Sequence, residues 1–182
     1  EIDACGAYVG PGFVDIHVHG GGGFSTCYDA TKAAEHFLSH GETTILATPS
    51  YDFNFTELME AIDCAKEGIK ISETIKGLYL EGPYTSPEYG ANAINNPWRR
   101  EIPPEEFMAF VDNAGLFAKV WAIAPERPDL MPFLEYARKV NPDVIFALGH
   151  SEATPMEVRA LGKYRPTIQT HSMNATGRRE VY

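Results

Sequence analysis

The feature that most constrains the fold is a regular alternation of strand-like and helix-like segments along the chain. The helix-like segments carry apolar residues at helical spacing, and two of them open with capping patterns, Asn54 with Glu57 and Thr154 with Glu157. Six strand–helix steps in a row imply a parallel sheet with right-handed crossovers. The predicted strands are residues 12–19, 43–48, 75–80, 117–123, 144–148 and 167–170.

Two architectures fit such an alternation, an open doubly wound sheet and a closed barrel. Residues 20–23 follow the first strand as four consecutive glycines, which is not the spacing of a dinucleotide-binding loop, and this weakens the first alternative. We therefore expect an α/β fold, a partial parallel (β/α)8 TIM-type barrel of about six βα units. A full barrel typically has about 250 residues, so residues 1–182 are expected to form one barrel domain truncated at both ends.

Charge and composition exclude several classes of partner. The net charge is −10, which argues against nucleic acid or an anionic membrane as the main partner, although a local arginine cluster can still hold one phosphate. No apolar stretch reaches the ~18 residues of a membrane span, and residues 1–5 do not resemble a signal peptide. The three cysteines lack CxxC spacing, which favours a reduced, cytoplasmic setting over a disulfide scaffold.

The first strand ends in a pair of histidines, His17 and His19. Because side chains alternate along a strand, both imidazoles point to the same face, and Asp15 shares that face one layer deeper. Two imidazoles at a strand end suit a divalent cation such as zinc. The alternative from this pair alone is two hydrogen-bonded polar histidines without a metal.

Three more polar residues occupy equivalent positions: Glu81 ends the third strand, His150 the fifth and His171 the sixth. The active sites of parallel barrels lie at the carboxyl ends of their strands, so these side chains are expected to converge with His17 and His19. A carboxylate with imidazoles can hold a hydrolytic metal ion. His36 and His40 are spaced i, i+4 on a helix, where capping of the helix end is the preferred interpretation for His40.

Several motifs resemble one known family when taken in order. PGFVDIHVHG at residues 11–20 is similar to the opening of amidohydrolase-superfamily barrels, and LEGPY at residues 80–84 resembles a segment of N-acetylglucosamine-6-phosphate deacetylases. APE at 124–126, GHS at 149–151, and the TH and NA pairs at 170–171 and 174–175 follow in the order found in that family. The resemblance covers nearly the whole chain.

The resemblance implies a site and a reaction. It makes Glu81, His150 and His171 the primary ligands of a divalent metal, most simply zinc, with iron, manganese or cobalt as alternatives. It assigns His17 and His19 to a second ion where a member has two. It implies metal-dependent hydrolysis of N-acetylglucosamine 6-phosphate to glucosamine 6-phosphate and acetate, and a homodimer in the full-length form. The implied substrate-binding residues are Asn174, Ala175, Arg178, Ala91 and Asn92.

The chain departs from the family pattern in two respects. Asn92 stands where the family has a substrate-binding histidine, which keeps open another amidohydrolase activity, on a cyclic amide or a different N-acetyl sugar. The general acid/base aspartate belongs to an eighth strand, and these 182 residues hold no position for it. A metal-binding barrel part without turnover is therefore the non-enzymatic alternative.

Overall fold

The computed structural model describes residues 3–88, 95–172 and 174. Within them the chain alternates between strands and helices, as the sequence predicts. The strands are β1 Phe13–Val18, β2 Gly20–Gly21, β3 Phe24–Ser25, β4 Glu42–Ala47, β5 Ile75–Leu80, β6 Ala118–Ile123, β7 Ile145–Leu148 and β8 Ile168–Gln169. The α-helices are α1 Ala30–Ser39, α2 Phe55–Ile71, α3 Pro104–Ala114, α4 Leu130–Val140 and α5 Pro155–Ala160.

The main sheet has the strand order β1-β4-β5-β6-β7-β8, and all of its neighbouring strands are parallel. Spatial order follows chain order, without the reversal that marks a doubly wound sheet. The helices α1 to α4 pack with one face of this sheet in a single core. Helices on one side and sequential parallel strands define a partial (β/α)8 TIM-type barrel, which confirms the expected fold class.

Two apolar clusters lie on opposite faces of the sheet, because successive side chains of a strand alternate between faces. On the helix side, Trp121, Phe110 and Phe133 pack in one aromatic group and are almost fully buried. The inner face, which corresponds to the barrel interior, carries a smaller cluster that includes Tyr79. The remaining buried members of the inner cluster are Leu46, Val120, Ala122 and Ala147.

Local signals in the sequence account for most element boundaries. Asn54 and Thr154 both form the predicted capping boxes, with side-chain oxygens accepting from the backbone N–H groups of Glu57 and Glu157. The glycine run after β1 is part of a short antiparallel hairpin in which β2 pairs with β3. Gly22 and Gly23 turn this hairpin with φ of 62° and 86°, conformations that favour glycine.

The segment between β5 and α3 is anchored on the helix side. Trp98 lies in this segment and is 2% exposed. Its Nε1 donates a 2.8 Å hydrogen bond to the Phe53 carbonyl oxygen. Among the described residues, no helix combines the length and apolar character needed to cross a bilayer.

Candidate metal centre

Side chains from four strand ends meet at the carboxyl edge of the sheet. Glu81, which follows β5, lies at the centre and is 1% exposed. Its Oε1 is 2.7 Å from His150 Nε2, 3.0 Å from His171 Nε2 and 3.5 Å from His17 Nε2. Its Oε2 is 3.1 Å from His19 Nε2. The four histidines singled out in the sequence for metal binding are therefore all within contact distance of the carboxylate of the fifth residue, Glu81.

Glu81 is held as a carboxylate by the imidazoles around it. Burial alone would raise its pKa, but hydrogen bonds from His150 and His19 and the proximity of His17 outweigh burial and hold the pKa well below the usual range. A permanent negative charge in a buried position is what a cation site supplies.

His17 is the imidazole best prepared for a metal. Both of its ring nitrogens are buried, and neither has a hydrogen-bond partner among the described residues. Burial outweighs the attraction of Glu81 and lowers the pKa of His17 to about 4. The ring is therefore neutral near pH 7, with a lone pair available to a ligand. His17, Glu81 and His171 each offer one ligand atom, and these three atoms lie within 4.8 Å of one another.

The tautomer of His19 is fixed by the strand next to it. Its Nδ1 lies 3.0 Å from the carbonyl oxygen of Thr48, and a carbonyl can only accept, so Nδ1 carries a proton. In the neutral ring the Nε2 lone pair then faces Glu81 Oε2, an arrangement that only a proton or a cation between them makes favourable. The hydrogen bond with Glu81 outweighs burial and raises the pKa of His19 above its ordinary value.

Two of the site histidines have unusual backbone conformations. His150 and His171 adopt φ of 48° and 52°, in the left-handed region that costs an ordinary residue roughly 1–2 kcal/mol. Each one lies two residues after the end of its strand, and its Nε2 is within 3.0 Å of Glu81 Oε1. Such backbone strain at clustered polar residues is typical of functional sites.

Further residues at this edge were not singled out in the sequence. The ring of Tyr51 stacks on His150 with a centroid distance of 5.6 Å, and Tyr79 meets His17 edge-on at 4.5 Å. The Tyr79 hydroxyl also bonds the hydroxyl of Thr170, next to His171. Thr48 and Tyr51 follow β4. Their positions after a strand are the signal that could have identified them in the sequence, since neutral polar and aromatic residues at strand ends also lie at this edge of the sheet.

The remaining residues predicted for the site fall in two groups. Asn174 is exposed, and its backbone N–H donates a 2.7 Å hydrogen bond to the carbonyl oxygen of His171. Ala91, Asn92, Ala175 and Arg178 lie outside the described residues. His36 lies in α1 and His40 directly follows this helix. His40 Nδ1 lies 2.8 Å from the His36 carbonyl oxygen, a local contact that fits the helix-end interpretation.

In the metal-free chain, His17 is expected to titrate near pH 4, because its burial disfavours the imidazolium. The unfolded chain takes up this proton near pH 6.5, whereas the folded chain does not until about pH 4. The contribution of His17 to stability is therefore lost as the pH falls from about 6.5 to about 4. Long-range ¹H–¹⁵N NMR against pH measures this pKa, and His17→Gln identifies the resonance. Titration near pH 6.5 would contradict the buried, unpartnered environment.

A partial parallel β/α barrel with a buried carboxylate and four histidines at its carboxyl edge places the chain in one class, the TIM-type barrels with a candidate metal site at the strand ends. Within that class, the chain is similar to N-acetylglucosamine-6-phosphate deacetylases. The enzyme of that name from Bacillus subtilis is 29% identical over 175 residues, which cover 91% of this chain and 43% of the relative. The one from Vibrio furnissii is 33% identical over 162 residues, covering 82% and 38%.

Solved structures and a further relative agree with this similarity. The N-acetyl-D-glucosamine-6-phosphate deacetylase of Mycobacterium smegmatis superposes with a TM-score of 0.78 and 30% identity, covering 91% of this chain and 47% of that one. An N-acetylgalactosamine-6-phosphate deacetylase from Escherichia coli O157:H7 is 30% identical over 159 residues, covering 82% of this chain and 41% of the relative. No family model matches. The resemblance predicted from the motifs is confirmed, and the chain spans less than half the length of these curated relatives.

Proposed function

We propose that this chain forms the metal-binding part of a deacetylase that hydrolyses N-acetylglucosamine 6-phosphate to glucosamine 6-phosphate and acetate. The observation that carries the proposal is the convergence of four imidazoles on the buried carboxylate of Glu81. Relatives of that name align with about nine tenths of the chain. We further propose a cytoplasmic enzyme that is a homodimer in its full-length form.

The proposed metal ligands are Glu81, His150 and His171, with His17 and His19 available to a second ion. Imidazole and carboxylate donors suit zinc, and iron, manganese and cobalt accept the same set. When bound, such an ion lowers the pKa of a water molecule and polarises a carbonyl oxygen. The chain's own part is to keep Glu81 ionised, to keep His17 neutral and to orient the Nε2 atom of His19 through Thr48.

The substrate is proposed to lie over the exposed side of this centre. Asn174 is exposed beside His171, which supports a role in contacting the sugar phosphate together with Ala175. We propose Arg178 as the phosphate-binding residue and Ala91 and Asn92 as further substrate-binding residues. A variant of the Mycobacterium smegmatis relative has been solved in complex with N-acetyl-D-glucosamine-6-phosphate. An N-acetyl sugar 6-phosphate is therefore the first substrate to test.

A second candidate substrate is N-acetylgalactosamine 6-phosphate, which is favoured by the 30% identical relative from Escherichia coli O157:H7. The two sugars differ only in the orientation of one hydroxyl, and the reaction at the acetamide is the same. The proposed metal ligands would therefore serve both, and the choice between the sugars would depend on the proposed substrate-binding residues, such as Asn92.

Metal binding and turnover are expected to separate in the 182-residue chain. Zinc should bind, because the five proposed ligand residues are present. Acetate release from N-acetylglucosamine 6-phosphate should be absent or slower than that of the Bacillus subtilis relative by at least about 10²–10⁴-fold, the usual contribution of general acid–base catalysis. The resemblance assigns that role to an aspartate for which these residues have no position. Metal content and acetate release are measured on the same purified sample.

The panel for this experiment contains both N-acetyl sugar 6-phosphates, unphosphorylated N-acetylglucosamine and a cyclic amide. Binding of either sugar phosphate to the zinc-loaded chain, without binding of the other two compounds, supports the proposal. Turnover at the rate of the relative would show that another residue, such as Asp15, moves the proton. A chain that binds neither zinc nor any sugar phosphate would overturn the proposed function.

A further inference from the structure

The connection between β6 and α4 contains Glu126, whose carboxylate accepts hydrogen bonds from the two residues that follow His150. Glu126 Oε2 accepts a 2.7 Å hydrogen bond from the hydroxyl of Ser151, and its Oε1 accepts a 2.8 Å hydrogen bond from the backbone N–H of Glu152. Both oxygens of one side chain are thus committed to two successive residues of a neighbouring loop. Charge-assisted hydrogen bonds of this kind are about twice as strong as neutral ones.

The residues that Glu126 binds directly follow His150, a site histidine with a strained backbone conformation. His150 is held at a φ of 48°, a conformation that persists only where its surroundings enforce it. On one side, the His150 carbonyl oxygen accepts a 2.7 Å hydrogen bond from the backbone N–H of Ser86. On the other side, Ser151 is 2% exposed and is fixed by Glu126. With the backbone held on both sides, His150 Nε2 lies 2.7 Å from Glu81 Oε1.

We infer that Glu126 is a positioning residue of the metal centre: it enforces the backbone conformation that aims His150 Nε2 at Glu81. The inference rests on the proposed metal site. It adds to that site a residue that acts on His150 indirectly, through its hydrogen bonds with Ser151 and Glu152 in the loop after β7. Its carboxylate contacts neither Glu81 nor a proposed ligand side chain in the hydrogen bonds described for it. The ligand geometry therefore depends on a side chain from a strand connection that supplies no ligand of its own.

The variant that isolates this role is Glu126→Gln. The amide keeps the size of the side chain but loses the negative charge and one of the two acceptor oxygens, so at most weaker, neutral hydrogen bonds to Ser151 and Glu152 replace the two charge-assisted ones. Ser151→Ala removes one of the same two contacts from the other side and leaves Glu126 intact. Glu135→Gln is the matched control, because Glu135 is an exposed residue of α4 and has no hydrogen bond or ion pair with the site residues that the structure describes.

The experiment measures zinc affinity by competition with a chromophoric chelator and records the visible spectrum of the Co²⁺-loaded chain. For Glu126→Gln we expect a zinc dissociation constant weakened by about 10–100-fold, the usual effect of losing an outer partner of a metal site, and a shifted Co²⁺ spectrum. Ser151→Ala should change both in the same direction, and Glu135→Gln should change neither. The shift in the Co²⁺ spectrum reports on ligand geometry, which a general loss of stability would not alter.

The outcomes separate this inference from the proposed function. If the unaltered chain binds no zinc, the proposed function fails, whatever Glu126 does. If it binds zinc, and Glu126→Gln and Ser151→Ala show the same affinity and the same Co²⁺ spectrum as the unaltered chain, the inference is overturned. Should Glu126→Gln not fold, Ser151→Ala decides between these outcomes on its own.

Discussion

Replacing Glu81 with alanine is expected to weaken zinc binding by more than about 100-fold. The loss of an outer partner of a metal site costs 10–100-fold, and Glu81 is proposed as a direct ligand that also faces four imidazoles. Without the Glu81 carboxylate, the four imidazoles of the described cluster supply no negative charge to balance a divalent cation. Isothermal titration calorimetry or chelator competition on the purified chain measures the change.

The same experiment has a stability readout. Zinc at 100 times its dissociation constant should stabilise the unaltered chain by about 2.7 kcal/mol, which raises the melting temperature by roughly 5–11 °C for a domain of this size. In Glu81→Ala this increase should disappear at the same zinc concentration. Glu135→Ala, on the exposed face of α4, is the control and should behave as the unaltered chain. An undiminished zinc response in Glu81→Ala would mean that the metal binds elsewhere.

The backbone plan of the sheet was predictable because the signals for it are local. The capping boxes at Asn54 and Thr154, and the apolar runs of the strands, each specify one element without reference to the rest of the chain. The hairpin of β2 and β3 was missed, since two-residue strands of glycine, phenylalanine and serine are too short to show a period. The burial of Trp98 depends on Phe53, a residue 45 positions away, and no local pattern reports that contact.

The proposed ligands could be found because a parallel sheet brings every strand's carboxyl end to one edge. That rule places His17, Glu81, His150 and His171 together from their positions alone. It says nothing about how each ring is aimed. Three features depend instead on contacts between different strand connections: the left-handed backbone at His150, the tautomer of His19 and the hydrogen bond from Ser151 to Glu126. The substrate contacts proposed for Asn92 and Arg178 remain predictions.

The largest loss of folding stability is expected from Arg127→Ala. The Arg127 guanidinium forms a paired contact with Asp129, with Nε 3.0 Å from Oδ1 and Nη2 2.8 Å from Oδ2, and the two side chains are 8% and 11% exposed. It also donates to carbonyl oxygens of the segment that follows Glu81, including those of Thr85 and Trp98. One side chain thereby ties the β5–α3 segment to the β6–α4 connection.

Removing one partner of a buried pair leaves the other charge uncompensated, which costs about 3–5 kcal/mol. Arg100→Ala is the matched control: Arg100 also pairs with a carboxylate, that of Glu106, but its side chain is 48% exposed. Surface pairs contribute about 1 kcal/mol or less. Urea unfolding at pH 7 of the two variants should therefore differ by about 2 kcal/mol or more, with Arg127→Ala the less stable.

The pH dependence of this difference provides an independent check. Burial would raise the pKa of Asp129, but its hydrogen bonds with Arg127 outweigh burial and lower it below 3.8. A carboxylate with a lowered pKa contributes stability above its unfolded value, and that contribution is lost as the pH falls through the folded value. The difference in unfolding free energy between the unaltered chain and Arg127→Ala should therefore become smaller below about pH 4, as Asp129 takes up a proton. Equal unfolding free energies for Arg127→Ala and Arg100→Ala at pH 7 would show that the paired contact does not hold the two connections together.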